Sequence, residues 1–252
     1  PSNPGNATDA FTGWSNLIGD PALHLWTSVP DNFVVDHPTT ISLGTTMLDM
    51  VVFNEEGSVV EGARVTLLMG DDDIFSTGLT NEFGEITLTW NTVMPGTMDI
   101  TVIKRNHRPY EGTIDISDAA GAAVSMLSSE IQVNSGEEVE LDITLHNHGL
   151  ELADDVIVEI SAHSDHVTIM DEMVIVGDIG SSEDVHINFS IYVHGTAYHM
   201  ENLDIHLMIT DSNGNIWVNH VPVNVMGPSL FVLDYDGEIE PGLDTFLELS
   251  ME

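Results

Sequence analysis

Adjacent carboxylates at residues 71 to 73 are the first group in this sequence that could bind a metal ion. Asp71, Asp72 and Asp73 follow Gly70 between two apolar runs. Neighbouring carboxylates repel one another at neutral pH, and a Ca²⁺ ion, which takes about six to eight oxygen ligands, relieves that repulsion. The same residues also fit the solvated tip of a β-hairpin. The sequence therefore predicts either a calcium site or a plain turn at this position.

Asp211, Asn213 and Asn215 form a second calcium candidate. Oxygen donors at alternate positions begin a calcium-binding loop, although Pro222 stands where such a loop has its final Glu. Residues 213 and 214 are also an Asn-Gly pair between two apolar runs, which is typical of a hairpin turn. Calcium is thus predicted here too, with a metal-free hairpin as the alternative.

Histidines are frequent, with 12 in the chain and most of them after Tyr110. His146, His148 and His186 alternate with apolar residues in two predicted strands, so they should face outward, and neighbouring strands would allow them to bind Zn²⁺ or Cu²⁺. Alternatively, they are polar residues on a strand face that offset negative charge when protonated. His206 alternates with apolar residues and is likewise predicted to face outward.

Catalysis by this chain is not expected. The chain contains no cysteine, which excludes a thiolate nucleophile, a disulfide framework and a cysteine-rich zinc site. It also lacks the G-x-S-x-G motif that presents a nucleophilic serine. No residue is therefore predicted to be catalytic.

The charge balance excludes several partners. The chain has 42 acidic and 4 basic residues, a formal net charge of −38, and no Lys or Arg after Arg108. Nucleic acids and anionic membrane surfaces would repel such a chain, and no apolar run is long enough for membrane insertion. We expect a solvated acidic surface suited to seawater or brine, where salt screens the repulsion, with divalent cations as small partners.

Glycosylation and carbohydrate binding are two further hypotheses. Asn6 and Asn188 each begin an N-x-[ST] sequon, and Asn188 alternates with apolar residues that should face inward. The tryptophans are dispersed, which favours core or edge packing over a sugar-stacking platform. Carbohydrate remains an alternative partner.

The elements that must position these residues are β-strands. Apolar and polar residues alternate in short runs such as Glu138 to His146 and Val185 to Val193, separated by Gly, Asn, Asp and Pro. Seven further runs are predicted as strands, at 39–43, 47–53, 63–69, 74–79, 85–90, 97–103 and 110–116. This spacing predicts an all-β fold of tandem immunoglobulin-like antiparallel β-sandwiches.

The predicted domain organisation has four parts. Residues 1–28 are expected to be a junction after a missing upstream domain, since the chain begins with Pro1 and not Met. Residues 29–117 and 118–227 are the two predicted sandwiches. The segment 228–252 resembles the opening of the second sandwich, so it is either an incomplete third repeat or a donated strand pair that completes a sandwich in another molecule.

Parts of the first half resemble a known family. The segment 16–30, with Asn16-Leu17-Ile18-Gly19-Asp20-Pro21 and Leu25-Trp26-Thr27, is similar to the end of the catalytic domain in gingipain-type cysteine peptidases. Residues 60–67, 80–85 and 100–102 fit the immunoglobulin-like domain that follows it. The catalytic Cys and His of that family lie upstream of this junction, so the resemblance transfers no catalytic residue.

Residues 124 to 227 resemble the cell-adhesion-related (CARDB-like) β-sandwich of prokaryotic surface proteins. The matching features are the segment 134–138, Asn147-His148-Gly149 after the second strand, and the hairpin from Asp211 to Trp217. The resemblances imply a non-catalytic spacer or adhesion region of a secreted or cell-surface protein. Its expected partners are an upstream catalytic domain or a neighbouring surface protein. The alternatives are a filament or sheath subunit that self-assembles by strand exchange, and a polysaccharide- or protein-binding module.

Overall fold

The computed structural model describes residues 26–71, 73–117, 121–127 and 131–227, together with the backbone of 232–236 and 248–251. Every regular element in this part of the chain is a β-strand. The all-β prediction is therefore confirmed, and the tandem sandwiches arise from the alternation seen in the sequence. Most of the predicted junction at 1–28 lies outside the described residues.

The first sandwich has eight strands. They are β1 Phe33–Asp36, β2 Thr40–Ile41, β3 Met47–Asn54, β4 Arg64–Met69, β5 Ile74–Leu79, β6 Glu85–Thr89, β7 Gly96–Ile103 and β8 Tyr110–Ile116. One sheet has the order β1-β3-β6 and the other β2-β8-β7-β4-β5, in which the short β2–β8 pairing is parallel. The predicted strands at 74–79 and 110–116 are confirmed residue for residue. β1 was not predicted, because its four residues are too few to show an alternation.

Alternation builds the first core. In β4, Val65, Leu67 and Met69 are buried, whereas Arg64 and Leu68 are exposed. Their partners come from the inward faces of the facing sheet, including Val52, which is fully buried. The burial of such side chains from both sheets is the main contribution to the stability of a sandwich.

The second sandwich has ten strands. They are β9 Val124–Met126, β10 Ile131–Asn134, β11 Glu138–Asn147, β12 Ala153–Ala162, β13 Val167–Ile169, β14 Met173–Ile179, β15 Asp184–Val193, β16 Ile205–Thr210, β17 Ile216–Val221 and β18 Val223–Met226. The main sheets have the orders β13-β15-β11-β9 and β14-β12-β16-β17, and β10 pairs with β18 in parallel. Phe189 and Trp217 are the largest fully buried side chains in its core.

The two sandwiches meet at a seam, defined here as the contacts of Gly44 and Thr46 with β17. The Thr46 N–H donates to the Val218 carbonyl (2.9 Å), so this loop hydrogen-bonds to the outer edge of β17. The fully buried Asn219 side chain donates to the Gly44 carbonyl (2.8 Å). Backbone and side-chain hydrogen bonds therefore both join the first sandwich to the second.

Glycine is required at position 44. Its φ is +104°, and a Cβ there would lie 2.5 Å from the Val124 carbonyl oxygen and 2.8 Å from Trp217 Cδ1. Backbone in this region is unfavourable for residues with a Cβ. The close approach of the two sandwiches at the seam depends on this missing side chain.

The chain passes from one core to the other around residue 123. Ala123 packs in the first core and Val124 in the second. The predicted boundary at 117 and 118 stays a prediction, since 118–120 lie outside the described residues. Beyond the second sandwich, β19 Val232–Asp236 and β20 Glu248–Met251 pair with each other in antiparallel fashion. The strand-exchange hypothesis for this pair remains a prediction.

Candidate functional site

A histidine-carboxylate cluster lies where β12, β16 and β17 adjoin. It consists of His163, Asp204 and His206, whose ligand atoms all lie within 4.8 Å of one another, and we call these three residues the H-D-H cluster. His163 follows β12, Asp204 precedes β16, and His206 is the second residue of β16. His220 in β17 lies beside the cluster, directly opposite His206 in the strand register.

Strand register brings the cluster together. Ala162 is opposite Ile205 in the β12–β16 pairing, so the next step along the same register places His163 opposite Asp204. The His163 N–H donates to the Asp204 carbonyl (3.1 Å), which continues the ladder by one bond. The backbone itself therefore holds these two side chains side by side.

Asp204 has an uncommon backbone conformation. Its φ is +43°, in the left-handed region that Asp tolerates better than most residues with a side chain. Its N–H donates to Asn202 Oδ1 (3.1 Å), and its carbonyl accepts from the His163 N–H. Such strained residues persist where their surroundings fix them, often at functional sites.

The distances within the cluster are short. Asp204 Oδ1 lies 2.8 Å from His206 Nε2 and 3.9 Å from His220 Nε2. The rings of His163 and His206 are 4.6 Å apart between centroids, and those of His206 and His220 are 6.0 Å apart. Three imidazoles therefore surround one carboxylate.

The carboxylate and the imidazoles perturb one another. The hydrogen bond with His206 holds the pKa of Asp204 below its ordinary value, against the opposing effect of partial burial and with help from the charges of His206, His163 and His220. Burial lowers the pKa of His220, and repulsion from His206 lowers it further, although Asp204 acts in the opposite direction. The carboxylate is thus ionised, and His220 favours its neutral form.

The cluster opens into a cleft between the sandwiches. This cleft has a volume of ≈ 860 Å³ and is lined by the H-D-H cluster on one side and by β3, β5 and β6 of the first sandwich on the other. Asp49 and Glu85 are the acidic residues of that opposite wall. The titratable groups of the cleft lining are therefore carboxylates and imidazoles, the rest of the lining is uncharged, and none of the four basic residues belongs to it.

The H-D-H cluster is not among the sites predicted from the sequence. His206 lies on the outward face of β16, as predicted, yet it is only 7% exposed. Its side chain does lie on the sheet face opposite the core, but His163, Asp204 and His220 cover it. The predicted hairpin contained a usable signal, because a turn centred on residue 213 places His206 opposite His220.

The predicted calcium residues are placed as follows. Asp71 and Asp73 are exposed in the turn between β4 and β5, and Asp72 lies outside the described residues. Asp211 is buried and uses both carboxylate oxygens within the hairpin. Its Oδ1 accepts from the N–H groups of Asn213 (3.0 Å) and Asn215 (2.9 Å), and its Oδ2 accepts from the Asn215 amide (2.8 Å). These bonds account for the hairpin without a metal, and calcium at either position stays a prediction.

Two of the three predicted imidazole ligands, His146 and His186, lie on the paired strands β11 and β15, and His148 follows the end of β11. The rings of His146 and His148 are 4.3 Å apart, and His146 Nδ1 lies 2.6 Å from Asp184 Oδ1. His186 pairs instead with Thr144 Oγ1 (2.9 Å). In the described part of the chain these three do not converge as the H-D-H cluster does. A metal at this position remains a prediction.

Burial sets the pKa of His148. Desolvation lowers it, and repulsion from His146 lowers it further, while Asp184 acts in the opposite direction. His148 Nε2 lies 2.9 Å from Ser125 Oγ, but Ser125 is fully buried. This serine-histidine pair is therefore closed to any substrate, so it does not provide a nucleophile.

A second buried carboxylate also has a histidine partner. Glu201, 7% exposed, lies 2.7 Å from His166 Nδ1 and accepts from Ser164 Oγ (3.2 Å) and the Tyr198 N–H (3.1 Å). Desolvation alone would raise its pKa, but the hydrogen bonds from His166, Tyr198 and Ser164 and the charge of His166 lower it below the ordinary value. Ser164 Oγ and the His166 ring both bond to the glutamate, and the His166 N–H donates to Ser164 Oγ (3.1 Å), so these residues form a structural network.

The remaining predicted residues lie on the surface or outside the described part. Asn188 is exposed in β15, opposite Asp142, and Asn6 lies outside the described residues. Trp90 and Trp217 are buried, which confirms core packing for both, whereas Trp26 is exposed. No described helix is long and apolar enough to cross a bilayer.

Comparison with known proteins gives no family. No family model matches the chain, and no curated protein matches it. Native Escherichia coli α-2-macroglobulin is 9% identical with a TM-score of 0.38, over 86% of this chain and 18% of that one. The BSP domain of a biofilm-associated protein is 13% identical with a TM-score of 0.30, over 77% of this chain and 30% of that one.

A protein of unknown function from Porphyromonas gingivalis W83 is 13% identical with a TM-score of 0.28, over 79% of this chain and 97% of that one. Likeness at these TM-scores carries no inference about function. The fold assignment rests on the strand pairings described above. The gingipain-type and cell-adhesion-related resemblances accordingly stay predictions.

Proposed function

We propose that this chain is a non-catalytic, stiff β-sandwich spacer in an adhesive region of a secreted or cell-surface prokaryotic protein. The observation that carries the proposal is the seam, where the two sandwiches are joined by hydrogen bonds instead of by a linker alone. A spacer transmits distance only if its domains keep a fixed orientation, and tandem domains move relative to each other unless their interface restrains them.

Buried polar contacts support the stiffness of the seam. Gly44 and Thr46 are buried, and their carbonyl and N–H groups find partners in Asn219 and Val218 of the other sandwich. Asn219 also accepts from the Met126 N–H, so one side chain connects the Gly44 loop to both β17 and β9. Opening the seam would leave these groups without their partners until water replaced them, which costs free energy.

The acidic surface fits a role outside the cell. With a net charge of −38 the chain repels anionic polymers and remains soluble, and dissolved salt screens its internal repulsion. We propose seawater or brine as its environment and Ca²⁺ as a ligand of the exposed carboxylates. The adhesive partner is a neighbouring surface protein or a polysaccharide.

The parent protein is proposed to be a gingipain-like peptidase whose catalytic domain precedes this region. The support is the junction-like sequence at 16–30, together with the cell-adhesion-related features at 134–138, 147–149 and 211–217. In that arrangement the sandwiches would hold the catalytic domain at a set distance from the cell surface. The genomic sequence upstream of Pro1 tests this part, since it either encodes a Cys/His catalytic domain or does not.

Spin-label distance measurements test the stiffness. The chain has no native cysteine, so Glu82→Cys with Asp171→Cys places one label on an exposed loop of each sandwich. Asp171→Cys with Asn213→Cys is the control pair within the second sandwich. We expect distance distributions of similar width for both pairs, and a broader distribution between sandwiches after Gly44→Ala, which disrupts the seam. A broad distribution between sandwiches in the chain without Gly44→Ala would contradict the proposal.

A further inference from the structure

The H-D-H cluster has no part in the spacer role, yet it groups metal-binding side chains at the wall of a cleft. We propose that His163, Asp204 and His206 bind a divalent transition-metal ion, Zn²⁺, at this position. The proposal is independent of the spacer function, because it rests on the cluster alone and not on the stiffness of the seam.

The donor set suits zinc. Imidazole nitrogen and carboxylate oxygen are both common Zn²⁺ ligands, and sites with three protein ligands leave a fourth position for water or another group. Here that fourth position would face the cleft, which is large enough to hold water at ≈ 860 Å³. Ca²⁺ and Mg²⁺ prefer an all-oxygen set, so the two imidazoles favour zinc over these ions.

The spacing requires only a small adjustment. Tetrahedral ligands at about 2.0–2.1 Å from Zn²⁺ lie roughly 3.3 Å from one another. His206 Nε2 and Asp204 Oδ1 are 2.8 Å apart, and all three ligand atoms lie within 4.8 Å. Separating the first pair slightly and drawing in the third ligand brings all three to that spacing. His163 is exposed, so its side chain is free to make most of this movement.

The cluster is largely preorganised. The backbone bond from His163 N–H to the Asp204 carbonyl holds the main chains of two ligand residues together, and β16 carries the third. His206 is 7% exposed, so its side chain has already lost most of its freedom. Among the three ligands, the exposed His163 side chain is therefore the one that loses most conformational entropy when a metal binds.

The charge around the cleft attracts cations. Asp49 and Glu85 on the opposite wall add negative potential to that of Asp204, and the sequence from residue 109 onward contains no Lys or Arg that would compete. This field also attracts Ca²⁺ and Mg²⁺, so selectivity must come from the imidazoles. The experiment therefore has to separate coordination by histidine from general attraction of cations.

Isothermal titration calorimetry with zinc distinguishes coordination by histidine from general attraction of cations. The full chain is stripped with chelator and titrated with ZnCl₂ in a buffer with about 10 mM CaCl₂, which occupies sites that bind through carboxylates alone. We expect one zinc per chain, with affinity reduced about tenfold or more by His163→Ala and by Asp204→Asn. The control His194→Ala removes an imidazole that directly follows β15 and lies outside the cluster, and it should change the affinity less than about twofold.

Two results would overturn the proposal. One is the absence of zinc binding at one equivalent in the presence of calcium. The other is a zinc affinity of His163→Ala and of Asp204→Asn that equals the zinc affinity of the control His194→Ala. Because His163 is exposed, its substitution should leave the far-ultraviolet circular dichroism unchanged, so a loss of zinc affinity is separable from a loss of fold.

Cobalt substitution provides a second readout. Co²⁺ accepts the same ligands as Zn²⁺ and shows intense visible absorption when four-coordinate. We expect these bands in the wild-type chain and their loss in His163→Ala, with no loss in His194→Ala. Bands of equal intensity in His163→Ala would exclude His163 as a ligand and so overturn the three-residue site.

Discussion

Substitution of Asn219 by alanine is the sharpest test of how the two sandwiches are joined. Asn219 is fully buried, accepts from the Met126 N–H and donates to the Gly44 carbonyl. Alanine can do neither, so Asn219→Ala leaves one buried donor and one buried acceptor without their partner. Each such group costs about 1–3 kcal/mol when unsatisfied.

We expect Asn219→Ala to lower the free energy of unfolding by about 3 kcal/mol. Two orphaned groups give about 2–6 kcal/mol, and water that enters the vacated space restores part of this loss. The matched control is Asn213→Ala in the turn of the same hairpin. Asn213 is exposed, so its replacement should change the free energy of unfolding by no more than about 0.5 kcal/mol.

Urea unfolding followed by circular dichroism and tryptophan fluorescence measures both variants. Trp217 is buried in the second core and lies against Gly44, so its fluorescence reports on that core and on the seam. If the two sandwiches unfold in separate transitions, the loss should fall on the transition that Trp217 reports. A loss in Asn219→Ala no larger than that in Asn213→Ala would refute the role assigned to Asn219.

The remaining predictions concern pH and calcium. The pKa values of Glu201, Asp204, His148 and His220 are all lowered in the folded chain, so the unfolded chain binds more protons and stability falls on acidification. Thermal melting should show the two histidine contributions lost as pH falls below about 6.5, that of Glu201 below about 4.5 and that of Asp204 below about 3.8. A melting temperature constant from pH 7.5 to 4 would contradict this. Added Ca²⁺ at about 10 mM should raise the free energy of unfolding by about 1–3 kcal/mol relative to the chain in chelator at equal ionic strength. The increase should be smaller in Asp73→Asn. Equal melting curves with calcium and with chelator would remove the calcium hypothesis.

The strands were predictable because the alternation of apolar and polar residues can be seen within each segment on its own. Alternation in segments such as 138–146 and 185–193 identifies the buried face without knowledge of the partner strand. The observed β16–β17 register is centred on residue 213 and pairs His206 with His220, whereas a two-residue Asn-Gly turn would be centred between 213 and 214 and pair His206 with Val221. Within this hairpin, therefore, the sequence identifies both strands and the turn between them, but the Asn-Gly pair alone does not give their alignment.

The H-D-H cluster was not predictable in the same way. Its formation requires β12 to lie beside β16, a pairing between segments about 45 residues apart that alternation does not reveal. The burial of His206 depends further on His163 and on the loop that holds Asp204. Alternation assigns His206 to the outward face correctly, but it cannot show that this face is covered.

The lack of Lys and Arg after residue 108 connects the charge, the histidines and the proposed metal. Carboxylates that fold close together there can be neutralised only by a proton, a metal ion or an imidazole. In the described part of the chain the ion pairs are all of the last kind, since His146, His166, His206 and His220 each lie within 4.0 Å of an Asp or Glu oxygen.

Such a pair differs from a lysine or arginine pair in one chemical respect. A neutral imidazole keeps a lone pair that a metal ion can accept, whereas guanidinium and ammonium groups offer none. Where this chain pairs a histidine with an acid, as in His166 with Glu201 and His206 with Asp204, it therefore places nitrogen and oxygen donors side by side. The H-D-H cluster is the place in the described chain where strand register brings two such imidazoles to one carboxylate at the wall of an open cleft. This is why zinc is expected there and not at the isolated pair of His166 with Glu201.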